Sequence, residues 1–249
     1  INDCWGSTVA FYKEIFNERG KSYNLAMEKW PKARDQERRI ILDLIKPSKG
    51  DIIVDAPAGG GYLSEALYEA EAIPICVEPA KNFGDYIPPH FETHFTDIFC
   101  TPLESLSVDK VGSLAGLHHL TREQIQQFFD ECFRIMKHGG KIAVADVLKG
   151  SDVAIFLNGP VDRWTETGHD GNFFEEGELS EYMRKSGFKN ITENHEQFYW
   201  SFSKHDDLIS FCYFLFGLKK AKTEELAPTL SETLGIVKAD GSHLLKWSL

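Results

Sequence analysis

Positive charge is scarce in this chain, and no long apolar run occurs. Its 249 residues hold 27 Lys and Arg against 38 Asp and Glu, a net charge of −11 at neutral pH. A phosphate backbone demands clustered cations, and no basic stripe is present, which argues against a nucleic-acid partner. The longest apolar run, Phe211 to Leu218, is far too short to span a bilayer, so no membrane partner is expected. The five cysteines (Cys4, Cys76, Cys100, Cys132, Cys212) are odd in number and contain no C-x-x-C. They read as reduced, buried thiols of a cytoplasmic protein, and no metal site is expected. Repeats, low-complexity segments and a recognisable leader are all missing; a start at Ile1 rather than Met leaves upstream residues open.

What the chain does have is concentrated in Ile52 to Leu67, IIVDAPAGGGYLSEAL. Ile52, Ile53 and Val54 form the continuous apolar run of a parallel strand covered on both faces, and Asp55 closes it. Ala58, Gly59, Gly60 and Gly61 have almost no side chain, so a ligand can lie against the backbone there. The open amides of a following helix begin at about Tyr62. Two phosphate signatures are absent. A dinucleotide G-x-G-x-x-G would need glycine where Ser64 stands, and no Gly-Lys-Ser/Thr follows as in a P-loop. An acid four residues ahead of Gly59 points instead to a cationic or amine-bearing nucleotide-type ligand.

These residues resemble the S-adenosylmethionine-dependent methyltransferases of the Rossmann-like class. Their D-x-G-x-G-x-G pattern is matched by Asp55, Gly59 and Gly61, with Pro57 in place of the first glycine. Further matches follow in order: a strand over 72–77 ending at Glu78, a strand over 91–96 followed by Asp97-Ile98, and a strand over 109–115. After Leu117-His118-His119-Leu120 comes Met136-Lys137-His138-Gly139-Gly140, leading into a strand over 141–147.

The resemblance implies an α/β fold. Its sheet is mostly parallel and seven-stranded with an antiparallel last strand, helices on both faces and helical cap elements. It implies S-adenosylmethionine as cofactor, held by Asp55, Ala56, Gly59, Gly61, Glu78, Pro79, Asp97, Ile98 and Ala115. Glu78 would take the ribose hydroxyls and Asp97 the adenine amine.

The chain reads as one methyltransferase domain over 1–249. Residues 1–46 form an N-terminal helical cap, and 151–175 and 205–235 are covering insertions near the carboxyl ends of the strands, where ligands bind. Residues 8–30 are helical and aromatic-rich, Pro31 suits a helix start, and the stripe Ile40, Ile41, Leu44, Ile45 ends before Pro47. Thr121 with Gln124 is a capping box opening the next helix. Residues 151–175 read as irregular around Gly159 and Pro160, 175–186 as a helix stopped by Gly187, and 188–202 as one long strand. The last strand is expected over 243–249.

An activated methyl group requires an acceptor held in line with it, so orientation carries most of the catalysis. A phenol or alcohol acceptor also needs a base, for which a neutral His is suited. His118, His119 and His169 are the candidates, although each could equally cap a turn or face solvent. Asp146 binds substrate or, more in keeping with its place, caps the segment after it. One of Arg34, Arg38 and Arg39, with Arg34 foremost, is a candidate for the methionine carboxylate, weighed against a solvated helix face that the neighbours Lys32, Asp35 and Glu37 favour. Tyr12, Tyr23 and Trp164 are the candidate substrate contacts. The other aromatics of 198–216 read as core, with some left to a pocket or a subunit interface.

The expected reaction is methyl transfer to O, N or C of a small aromatic or apolar molecule, with a homodimer left open. A protein or peptide methyltransferase and a non-methylating relative are the alternatives, and an NAD oxidoreductase is disfavoured by Ser64 and Asp55.

Overall fold

The structure, a computed structural model, describes residues 9–249; Cys4 lies outside the described residues. The chain runs α1 (Val9–Lys29), α2 (Asp35–Ile45), β1 (Ile52–Asp55), α3 (Tyr62–Glu69) and β2 (Ile73–Val77). A short α4 (Lys81–Gly84) leads to β3 (Glu92–His94) and β4 (Val108–Leu114). A 3-10 turn, Leu117–His119, then precedes α5 (Arg122–Ile135) and β5 (Met136–Ala145). Next come α6 (Asp152–Phe156), a π-helical turn (Leu157–Val161), α7 (Asp162–Trp164) and α8 (Glu178–Ser186). The chain closes with β6 (Gln197–Phe202), α9 (His205–Phe216), α10 (Thr223–Thr233), β7 (Ile236–Ala239) and β8 (Ser242–Ser248).

Side chains alternate across a strand, so a strand covered on both faces must feed two cores. In β1, Ile53 packs into a core with Ile41 and Ile45 of α2 and Leu63 and Leu67 of α3. Its neighbour Val54 packs on the other side with Val111 of β4 and Ile125, Phe128, Phe129 and Cys132 of α5. Phe128, Phe129 and Ile125 are wholly buried, each worth roughly 1.5–3 kcal/mol of burial. The capping box at α5 forms as expected: the Thr121 hydroxyl accepts from Gln124 N, and the Gln124 amide oxygen accepts from Thr121 N.

The five central strands are all parallel, in the order β3-β2-β1-β4-β5. Chain order reverses between β1 and β4. At such a point the loops leaving two adjacent strands diverge and open a crevice outside their carboxyl ends.

The sheet is not seven-stranded. β8 pairs antiparallel with β6 and with the unexpected β7, in a separate sheet of order β6-β8-β7. β8 gives one edge to β6 and the other to β7, so it has no backbone edge left for β5.

Local departures from the sequence reading also have identifiable causes. The long strand expected over 188–202 is reduced to β6. In the preceding polar stretch Asn190 takes φ 56°, and Glu193 turns back to cap α8, accepting from Gly177 N at 2.7 Å and Ser180 N at 3.1 Å. Residues 151–164 are helical rather than irregular. The Ser151 side chain caps α6 through Ala154 N, and the wider π turn takes up Gly159 and Pro160, whose missing N–H an α-turn would require. Pro31 sits in a turn, and α2 starts only at Asp35. β5 begins five residues early, because Met136 pairs with Val108 before the register skips to Lys110–Lys141. The excursion this skip leaves over 137–140 turns at Gly139, φ 81°.

Candidate functional site

A cavity of about 980 Å³, counted with its open mouth, lies outside the ends of β1 and β4, where the strand order reverses. Asp55, Pro57, Ala58, Gly59 and Gly60 form one wall, and Leu114, Ala115 and Gly116 the adjoining one. Helix α1 contributes Tyr12, Phe16, Arg19 and Tyr23 to its lining, and Phe83 reaches in from α4.

The glycine turn is shaped for close approach. Gly59 and Gly61 take φ 56° and 85°, which side-chain-bearing residues adopt only at a cost. Gly61 serves this geometry as the N-cap of α3 and does not line the cavity. Ala56 is likewise behind the wall, in the core with Val54. Ala115, by contrast, lines the cavity with a backbone at φ 52°, an uncommon conformation for alanine. Its N–H is held by Ala145 O at 2.8 Å.

Asp55 is buried, and its Oδ2 accepts from both Ser64 N at 3.0 Å and Ser64 Oγ at 2.7 Å. The serine that breaks the dinucleotide pattern therefore ties helix α3 to the acid. Burial pushes the Asp55 carboxyl up to about 7 despite these two hydrogen bonds. Glu78 is also fully buried and accepts from Gly59 N at 2.7 Å, Ala80 N at 2.7 Å and the Tyr12 hydroxyl at 3.1 Å. Burial again dominates and raises its carboxyl to about 8.

Asp97, Ile98 and Pro79 border a second, smaller cavity of about 280 Å³ with Leu120 and Phe99. Tyr12, Pro57 and Gly116 border both cavities and form the partition between them. Lys13 Nζ lies 2.9 Å from Asp97 Oδ1, an ion pair outside hydrogen-bond alignment. Asp55, Glu78 and Asp97 thus follow the carboxyl ends of three neighbouring strands. The three carboxylates are acceptors, a set whose chemistry fits an ammonium or sulfonium group, a vicinal diol and an exocyclic amine.

Three histidines converge on the lining of the main cavity. His118, His119 and His169 are all buried, with ring centroids 4.2, 5.5 and 5.2 Å apart pairwise. His118 Nδ1 lies 2.6 Å from Asp146 Oδ1, and Asp146 Oδ2 accepts from Leu117 N at 2.7 Å. Asp146 therefore fixes the 3-10 turn behind it as well as accepting from Val147 N after it. His169 Nδ1 is 3.0 Å from Asn158 Oδ1. His119 Nδ1 is buried without a hydrogen-bond partner among the described residues. Burial and the adjacent His118 hold His119 well below the ordinary imidazole range, and burial does the same for His169, so both are neutral at pH 7. Potential ligand nitrogens of the three rings all lie within 4.8 Å of one another, a grouping able to take a metal ion.

Arg34 is not on a solvated face. It is buried beside the cavity, with both Glu37 oxygens at 2.6 and 2.7 Å and the Tyr23 hydroxyl on its guanidinium. Glu37 also accepts from Trp200 Nε1 at 2.8 Å. Trp164 lines neither cavity and packs against the core of α6 and α9. Arg19, Phe16, Phe83 and Glu37 reach the main cavity without any motif to single them out. The only sequence signal for the first two was their spacing with Tyr12 and Tyr23 along one face of α1.

Residues 54–144 match the family described as a methyltransferase domain. An uncharacterised methyltransferase of Bacillus pumilus is 26% identical over 212 residues, covering 83% of this chain and 90% of its own. One from Anoxybacillus flavithermus is 23% identical over 145 residues, 54% of this chain and 66% of its own. A crystal structure of a SAM-dependent methyltransferase from Thermotoga maritima is similar in fold, with a TM-score of 0.61 at 20% identity. That match covers 79% of this chain and 87% of the Thermotoga chain. Residues 54–144 thus match a methyltransferase domain, and the fold of the chain is similar to that of a SAM-dependent methyltransferase.

Proposed function

We propose that this chain methylates a small molecule enclosed in the main cavity, with S-adenosylmethionine as donor. The observation that carries the reading is the placement of the two cavities on either side of Tyr12. The glycine turn and Asp55 stand at one, Asp97 and Ile98 at the other, and Glu78 lies beneath the partition. Residues 59–60 would carry the methionine moiety, Glu78 the ribose and Asp97 with Ile98 the adenine. When bound, the cofactor would supply an activated methyl group for transfer to an electron-rich acceptor atom, with S-adenosylhomocysteine as the leaving group.

The protein's part is orientation and exclusion of water. Tyr12, Phe16, Tyr23 and Phe83 wall the cavity with aromatic faces, which hold a flat apolar body and keep the reacting centre dry. His119 lines this space, and its Nδ1 has no hydrogen-bond partner among the described residues. It accepts the hydrogen bond of an acceptor O–H or N–H and takes the proton as the new bond to carbon forms. Asp146 and Asn158 fix the rings of His118 and His169 alongside it. α1 and the segments 151–175 and 205–235, which contribute Leu157, His169, Leu215 and Phe216 to the lining, act as the cover of a single catalytic unit.

Calorimetric titration of S-adenosylhomocysteine, with NAD as control, tests the donor. Micromolar binding without NAD binding is the expected outcome; no binding by folded protein refutes the reading. A methyl-release assay with small acceptors then separates a methyltransferase from a relative that binds the cofactor but transfers nothing.

A further inference from the structure

Among the described residues, Arg19 is the arginine of the main cavity that has no carboxylate in ion-pair contact. Its neighbour Arg34 is neutralised by both oxygens of Glu37. Arg19 is 8% exposed, lines the cavity, and its guanidinium has one hydrogen-bond partner, the carbonyl of Gly168. No acidic oxygen among the described residues lies within ion-pair distance of it. A guanidinium has five N–H donors, so most of its donor capacity is unused on the protein side. Burial pulls it down to about 10, and the charges of Glu18 and Asp162 offset this only in part. It is still charged at neutral pH.

The Gly168 carbonyl places Arg19 at the loop that carries His169, and the field of Arg19 reaches both His169 and His119. Arg34, in contrast, stacks on Tyr62, next to the glycine turn. Arg19 therefore belongs to the histidine side, where the acceptor sits, and Arg34 to the cofactor side. The three histidines have the spacing to take a divalent cation, but a permanent positive charge at their edge works against a dication and for an anion.

We infer that the acceptor carries an anionic group, a carboxylate or a phosphate monoester, and that Arg19 binds it with the guanidinium N–H groups the protein leaves unused. The substrate class is thus a small aromatic or apolar acid: its body lies against Phe16 and Phe83 and its charge against Arg19. This rests on the proposed methyl transfer for the word acceptor, while the preference for an anion stands on the cavity alone. Arg19 is a specificity-determining residue in this scheme. It fixes which end of the acceptor points away from the methyl group.

The test uses the full chain and Arg19→Gln, with Arg19→Lys as a charge-retaining control. Each is titrated calorimetrically with matched probes, 4-hydroxybenzoate against 4-hydroxybenzamide and phenyl phosphate against phenol, with and without S-adenosylhomocysteine. The expected result is a preference for the acids of about tenfold or more in the native chain, lost in Arg19→Gln and partly kept in Arg19→Lys. The stronger of the two acid series tells carboxylate from phosphate. No acid bound better than its neutral counterpart, or an acid preference that survives Arg19→Gln, overturns the inference. So does a Gln variant that keeps the acid preference but loses S-adenosylhomocysteine, since Arg19 would then serve the cofactor. Failure of the native chain to bind S-adenosylhomocysteine counts against methyl transfer and not against the anion site, which the cofactor-free titrations read separately.

Discussion

The Tyr12 hydroxyl donates to Glu78 Oε2 across 66 residues of sequence, at 3.1 Å, and the ring between them closes one cavity off from the other. The carboxylate assigned to the ribose is thus already occupied by a side chain of α1. A ligand spanning both cavities has to displace that phenol. Loss of the hydroxyl in Tyr12→Phe removes a competitor hydrogen-bonded to a carboxyl group, a contact worth about 1.5–3 kcal/mol if the acid is charged. Tyr12→Phe is expected to bind S-adenosylhomocysteine several-fold more tightly by calorimetry. Equal or weaker binding would mean that Tyr12 contributes to the site rather than blocking it.

Ionisation of Asp55 and Glu78 links stability and binding to pH. Both carboxyls are raised by burial, to about 7 and about 8, from ordinary values near 4. A raised acid favours folding below its unfolded value, and that contribution fades as pH rises through the folded one. The ligand-free protein should therefore lose stability between about pH 4 and pH 8 by urea denaturation. A cationic, hydroxyl-bearing ligand favours the ionised carboxylates, so S-adenosylmethionine should bind with proton release and more tightly at pH 8 than at pH 6. Titration in buffers of different ionisation enthalpy measures the protons directly; uptake on binding would contradict the assignment.

The Arg34–Glu37 pair is a structural risk as well as a wall of the cavity. Glu37 carries the guanidinium and the Trp200 indole N–H together. Glu37→Gln leaves Arg34 buried beside Tyr62 and Trp200 with no counter-charge. Removing one member of a buried pair costs about 3–5 kcal/mol, which a fall in the denaturation midpoint would register. A change below about 1 kcal/mol would show that water reaches Arg34.

Gly116 sets the distance between the turn after β4 and the glycine wall. A Cβ placed there would lie 2.3 Å from Pro57 Cγ and 2.8 Å from its Cδ. Pro57 is a rigid ring in the partition between the cavities, so Gly116→Ala has to push it toward the ligand space. The expected outcome is at least tenfold weaker S-adenosylhomocysteine binding with a smaller effect on folding. Thr121→Ala, a short distance along the chain, gives the opposite signature. Loss of the α5 cap costs about 0.5–2 kcal/mol of stability and leaves affinity unchanged.

Local chemistry was enough to place β1, the glycine turn, α3, the capping box of α5 and the Gly187 stop, because each depends on residues within a turn or two of one another. The same holds for the acids at the strand ends, whose position follows from where an apolar run stops. Asp55 and Glu78 could be read as site residues in this way, yet their hydrogen bonds to Ser64 and Tyr12 could not. Strand partners are chosen by whichever edges remain open after folding, so the separate β6-β8-β7 sheet was invisible along the chain. Arg34 looked solvated by its charged neighbours in sequence, but helix α2 turns it inward against Tyr23 and Trp200. Packing between distant elements also brought His169 to His118 and His119 and left Arg19 with no carboxylate in ion-pair contact among the described residues. Sequence thus determined the fold class and the residues that begin and end its elements, since those rest on periodicity and local hydrogen bonding. Only the tertiary structure decided which charges are paired, which nitrogens are free and which rings divide the cavity, because burial and partner distance are properties of the assembled chain.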